Sequence, residues 1–314
     1  MHPAASLVAF TTTAGAGYGL LFLLGIAAPL GLLPAAGWFG VVALGLSLGL
    51  IGLALAASTL HLGHPERAWR AFSQWRTSWL SREGVAAIVT FLPGLAFAWV
   101  WLDPQADPQL TRILGLVTLV LCAVTVYCTG MIYQSLATIA HWHHPLVSPI
   151  YLAFALATGS GLLMAIAQAF GRGQAVQSMI TALSLVVVLA LKLIWWRAVD
   201  RDPGRFTMGD ATGLGGLGEV RQWEVPHTAD NFVMTEMGYR IARKHAIKLR
   251  RLVVAAIALA LALGLVTFSG VPALAVPAAG LAACLAYAAA FLERWLFFTE
   301  ARHVVSLYYG APRA

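Results

Sequence analysis

The stretch HLGHPERAWRAFSQWRTSWLSRE, His61 to Glu83, lies between two long apolar runs. It gathers two histidines, two glutamates, four arginines and three tryptophans in a chain that is only 11% charged. His61 and Glu83 each stand at the mouth of an apolar run, where a polar group is costly and usually functional. A neutral imidazole and a carboxylate at a bilayer edge can exchange protons with a small apolar substrate. Other groups of the same kind recur at the ends of later runs. Tyr133 and Gln134 precede HWHHP, which holds His141, His143 and His144, and Glu300 is followed by His303. The plainer reading of the three loop histidines is solvation. For Arg70, Arg76 and Arg82 it is an amphipathic connector. Glu293 and Arg294 are expected to pair with neighbouring helices, and Lys192 to snorkel toward the nearer surface.

The elements that must position these groups follow from composition. The 314 residues are 60% hydrophobic, against about 45–50% in soluble domains. So few charges cannot cover a soluble surface, which makes the chain an all-α integral membrane protein. The opening MHPAASLVAFTTTAGAGYGL lacks a positive n-region and a cleavage site, so it is expected to run on into a span and not to be a removed leader. Cys122, Cys128 and Cys284 all lie inside apolar runs. With no CxxC or His/Cys cluster, neither an iron–sulfur cluster nor zinc is expected in this protein.

A span needs about 20 apolar residues. Eight runs qualify, near 10–33, 38–60, 84–102, 111–137, 148–170, 178–197, 252–270 and 273–300. The expected architecture is a bundle of eight transmembrane helices forming one anchor domain over 1–314. It carries an interfacial link at 61–83 and a long polar loop at 198–251, whose end, MTEMGYRIARKHAIKLRR, reads as a basic amphipathic helix. Eight crossings put both termini, the 61–83 link, the 138–147 link and the long loop on one side. That side holds Arg67, Arg70, Arg76 and Arg82 in one link, and ten more basic residues from Arg197 to Arg251. The other side has Arg112 and Arg172. The positive-inside rule makes the richer rim cytoplasmic, with both termini inside. The net charge of +7 is thereby explained by topology and does not point to nucleic acid.

Within the link, Pro65 suits the first turn of a helix. Trp69, Phe72, Trp75 and Trp79 follow at spacings of three to four. This predicts an interfacial helix with indoles at headgroup depth and arginines toward lipid phosphate or a partner.

The string HLGHPERAWRA, with the glutamate of WLSRE 22 residues after its first histidine, resembles the membrane-anchor subunit of dimethyl sulfoxide reductase and its relatives. The length, the eight spans and the late FLERWLFF agree. The resemblance implies an anchor that tethers a molybdopterin catalytic subunit and a four-cluster iron–sulfur subunit and exchanges electrons with quinone, ubiquinone or menaquinone, without haem. It carries a quinone-binding role to His61, Gly63, Arg67 and Glu83. His64 departs from the pattern and adds a second titratable group. Tyr133, His143, Glu300 and His303 are further candidates at the same rim. Because the motif rim is the basic one, the partners are expected on the cytoplasmic side of a bacterial inner membrane. Topology and resemblance together then favour an anchor serving sulfite oxidation over that of an exported reductase. His61 would hydrogen-bond a quinone carbonyl, Glu83 would relay protons, Arg67 would hold charge, and the second, third and eighth spans would wall the isoprenoid tail. Two rivals remain open: a b-type cytochrome, although every histidine lies at a span end or in a loop, and a transporter or scaffold, although polar or broken midplane helices are not evident.

Overall fold

The computed structural model describes residues 5–33, 37–59, 64–202, 204–224, 244–309, 311, 313 and 314. His61, Gly63 and most of the expected basic helix at 234–251 lie outside these residues.

Among the described residues, eight helices are long and apolar enough to cross a membrane. They are α1 Ala5–Ala27, α2 Trp38–Thr59, α3 Trp79–Leu102, α4 Pro108–Gln134, α5 Val147–Ala169, α6 Ala175–Arg201, α7 Ala246–Val266 and α8 Pro272–Glu300. No strand occurs among the described residues. The protein is a multi-pass membrane protein.

The third span begins at Trp79, five residues earlier than its apolar run. Ser78 caps it by accepting from the Ser81 amide, and the polar Ser-Arg-Glu stretch is absorbed into the first turns. Glu83 therefore belongs to a helix and not to the link. The first span begins at Ala5 and ends at Ala27, short of the expected 33.

Helices α1 and α5 form the buried centre of the bundle. Helix α1 packs on α2, α4, α5 and α8, and α5 packs on α1, α4, α6 and α8. Their crossing depends on glycine. A Cβ on Gly19 would lie 1.8 Å from the Ala155 carbonyl oxygen, and one on Gly159 would lie 2.2 Å from the Gly19 carbonyl carbon. Small residues that let backbones touch are the usual means of helix association in lipid, where apolar burial gives no net drive. On the outer faces Leu92, Trp99, Leu183 and Leu53 are exposed, as lipid-facing positions should be.

Candidate functional site

The link between α2 and α3 is a 3₁₀ helix, Pro65–Phe72, followed by a turn. The expected continuous interfacial helix is thus broken after Phe72. Arg82 explains the break. Its Nε and Nη2 donate to the carbonyls of Trp75 and Arg76 at 3.0 and 2.7 Å, closing the turn. Its guanidinium lies over the Trp79 ring at 4.2 Å. Trp69 and Trp75 are exposed, with Arg70 and Arg76 each 5.6 Å from the neighbouring indole.

His64 and Arg67 are brought together by Glu66. The His64 Nδ1 lies 3.0 Å from a Glu66 carboxylate oxygen and the Arg67 Nε 3.7 Å from the same oxygen. All three side chains are more than half exposed, so this cluster sits in the aqueous edge and not within the bundle.

Glu83 is the contrast. Its side chain is buried, about 6 Å along α3 from the helix start at 1.5 Å per residue. Thr129 of α4 donates to it at 2.5 Å. Thr129 also lies 3.1 Å from the Thr125 carbonyl, one turn back. The Phe72 ring of the link rests against α3 at Gly84, where an added Cβ would come within 3.0 Å. The motif thus folds back over the helix end that carries its distal glutamate.

Behind Thr129 is a cavity of about 20 Å³, walled by Thr12, Tyr18, Thr129, Tyr151, Thr158 and Arg294. Adjoining it at Tyr18 is an apolar cleft of about 270 Å³ between α1, α4 and α5, lined by Phe22, Cys122, Val126, Leu152 and Leu156.

The other rim groups divide. Tyr133 is buried in an aromatic cluster with Trp142, Tyr151, Phe297 and Phe298, at centroid distances of 5.2–5.8 Å. It stands one turn above Thr129 on α4. The HWHHP loop is tied to the end of α8. His141 Nδ1 lies 3.1 Å from the Glu300 carbonyl, and the Trp142 indole donates to the Phe297 carbonyl at 3.0 Å. His143 is exposed and bonds the Gln134 carbonyl. His144 and His303 each accept a backbone N–H two residues on, from Leu146 and Val305. Partial burial holds both imidazoles below their ordinary pKa. They are turn-forming groups and do not converge on Glu83.

Glu300 is buried and bonds Arg250 of α7 at 2.7 Å, and Arg250 in turn bonds Asp200 of α6 at 2.7 and 2.9 Å. These three border a pocket of about 270 Å³ at the rim, with His141, Asp202 and Arg302.

Lys192 does not snorkel. It is 1% exposed and pairs with Glu293 at 2.6 Å, Glu293 being 0% exposed, and its ammonium lies 3.7 Å from the Trp195 ring centroid. It is too far from the rim, about 13 Å along α6, and its partner on α8 is nearer than water. Arg294 lies 3.4 Å from the Tyr151 ring centroid. Thr129 was not singled out by the sequence pattern. A threonine in an apolar helix gives no signal until α3 and α4 are known to be neighbours.

A family profile for the DMSO reductase anchor subunit (DmsC) matches residues 1–310. The protein is 33% identical to a subunit of the sulfite dehydrogenase of Allochromatium vinosum, over 98% of its own length and 99% of that protein. It is 30% identical to a component of the anaerobic dimethyl sulfoxide reductase of Escherichia coli over 95 residues, 30% of its own length and 33% of that protein.

Proposed function

The protein belongs to the DMSO reductase anchor-subunit family, and from that premise we propose that it is the quinone-reactive membrane anchor of a sulfite-oxidising molybdenum enzyme. The partners are a four-cluster iron–sulfur subunit and a molybdopterin catalytic subunit, docked on the rim that carries the 64–78 link. That rim is cytoplasmic by its excess of arginine and lysine. The full-length similarity to a sulfite dehydrogenase subunit, against a 95-residue match to a dimethyl sulfoxide reductase component, supports sulfite as the electron source.

The observation that carries the reading is Glu83, a buried carboxylate held by Thr129 under the folded motif link. A quinone ring brought to this helix end accepts two electrons from the iron–sulfur subunit and two protons by way of Glu83. Arg67 and His64 at the aqueous edge set the charge above it, and His61 is assigned a carbonyl of the ring. The apolar cleft between α1, α4 and α5, in place of the second, third and eighth spans expected from the sequence, supplies a lateral entry from lipid for the isoprenoid tail.

The test is turnover of the assembled complex with two acceptors. Glu83→Gln and His61→Ala should abolish sulfite oxidation linked to quinone and leave sulfite oxidation with a soluble artificial acceptor intact. Equal loss of both activities would refute a quinone role for these residues.

A further inference from the structure

Two rungs of charge join α6 to α8, the upper one through Arg250 of α7. The upper rung is Asp200–Arg250–Glu300, bordering the rim pocket. The lower rung is Lys192–Glu293, enclosed on all sides. Glu293 and Glu300 are seven residues apart, two turns along one face of α8, or about 10 Å. Lys192 and Asp200 are eight residues apart on α6, about 12 Å.

Next to Glu293, Arg294 turns toward the 20 Å³ cavity that Thr129 also walls. Its Nε and Nη1 have no hydrogen-bond partner among the described residues. The same holds for the hydroxyls of Thr12, Tyr18 and Tyr151, which border that cavity, and for the Glu293 Oε2, the other carboxylate oxygen being held by Lys192. Buried polar atoms nearly always have partners. A water needs roughly 10–15 Å³ and two to four polar neighbours, and this cavity offers both. Stability gives no reason for such a cluster, since a buried ion pair is often no better than packed apolar residues. Ionisable groups deep in a span commonly mark proton relays.

We propose that Lys192, Glu293 and Arg294, with the hydroxyls round the cavity, form a water-assisted proton path between the rim pocket and Glu83. The proposal rests on the quinone reading above. Protons enter at Glu300 and Asp200, cross the roughly 10 Å between the rungs on water admitted from the rim pocket, pass the Lys192–Glu293 pair, cross the water position at Arg294 and reach Glu83 through the Thr129 hydroxyl. Arg294 positions the water. For each quinone reduced, two protons leave the aqueous rim and two electrons arrive from the iron–sulfur partner. Every relay group ends the cycle in its starting state. The groups facing the path are Tyr18 on α1, Glu83 on α3, Tyr133 on α4, Tyr151 on α5 and Arg250 on α7, beside those named on α6 and α8.

The experiment uses the whole complex in lipid nanodiscs. Lys192→Met combined with Glu293→Gln removes the pair without leaving a lone charge, and Arg294→Met removes the water-positioning group. Quinone-linked turnover should fall by at least about ten-fold, with artificial-acceptor turnover unchanged. The solvent deuterium isotope effect on the quinone reaction should rise, because proton delivery becomes limiting. Undiminished quinone turnover in both variants overturns the path, as does a fall with no change in isotope effect, which marks a purely structural cluster. If these variants do not assemble, Tyr151→Phe with Thr12→Val decides, an unchanged rate and isotope effect again overturning the path. Glu83→Gln is run alongside. If it too keeps full quinone turnover, the quinone-site reading has failed. If it alone is inactive, only the path has failed.

Discussion

The Glu83 carboxylate and the Thr129 hydroxyl, 46 residues apart in sequence, meet at 2.5 Å between α3 and α4. A second hydroxyl contact ties the same helices one turn deeper on α4 and two turns deeper on α3, Thr90 to Thr125 at 2.8 Å. The position of the glutamate is thus set by α4 and not by its own link.

Thr129→Val should therefore weaken quinone-linked turnover while keeping the fold. It leaves the buried carboxylate without its donor, a loss of about 1–3 kcal/mol, or roughly five- to 150-fold in rate if the loss falls on the transition state. Thr129→Ser should stay near the parent rate. Steady-state turnover with quinone, normalised to artificial-acceptor turnover, measures both.

Gly19→Leu should prevent assembly of the bundle. No rotamer can relieve a Cβ placed 1.8 Å from the Ala155 carbonyl oxygen. Gly45→Leu on α2 is the control, since nothing lies within 4 Å of a Cβ there. The yield of monodisperse protein in detergent separates the two.

Lys192→Met alone should destabilise more than Lys192→Met with Glu293→Gln. The single change strands Glu293 at 0% exposure, and breaking one side of a buried pair costs about 3–5 kcal/mol. Thermal unfolding of the purified anchor, followed across a double-mutant cycle, gives the coupling.

Acid should loosen the two turns that His144 and His303 close. Each imidazole accepts an amide at Nδ1 and is held below its ordinary pKa by burial. Protonation opposes the folded turn, so its stability is full above about 6.5, the ordinary imidazole value, and is lost as the pH falls below it. Amide exchange at Leu146 and Val305, corrected for the intrinsic pH dependence, should accelerate beyond that of neighbouring helices as the pH falls below about 6.5.

Much of this was legible in the sequence. Apolar length alone gave eight crossings, because lipid demands that each crossing close its own backbone hydrogen bonds. The starts were less legible where polar residues extend a helix. Trp79–Glu83 reads as link by hydropathy, yet Ser78 caps it and Arg82 seals the turn before it. Glu83 was singled out by its type and place. Thr129, Arg294 and the Lys192–Glu293 pair became meaningful only when α3 met α4 and α6 met α8. Nothing in the local pattern of a uniformly apolar helix says which neighbour it will have. Lys192 illustrates this: distance to the surface suggested an upward-reaching side chain, and a carboxylate 101 residues later draws it inward.

The crossing of Gly19 with Gly159 also bears on how the protein is made. Synthesis delivers α1 first, and α2 can close on it at once, with Gly17 against Ser47 and Ile51. The glycine face meant for α5 has no counterpart until 140 further residues have left the ribosome. Through that interval the nascent hairpin carries an open seam of bare backbone in the bilayer. Slowing translation ahead of α5 should lengthen the exposure and raise the share of nascent proteins claimed by membrane proteases.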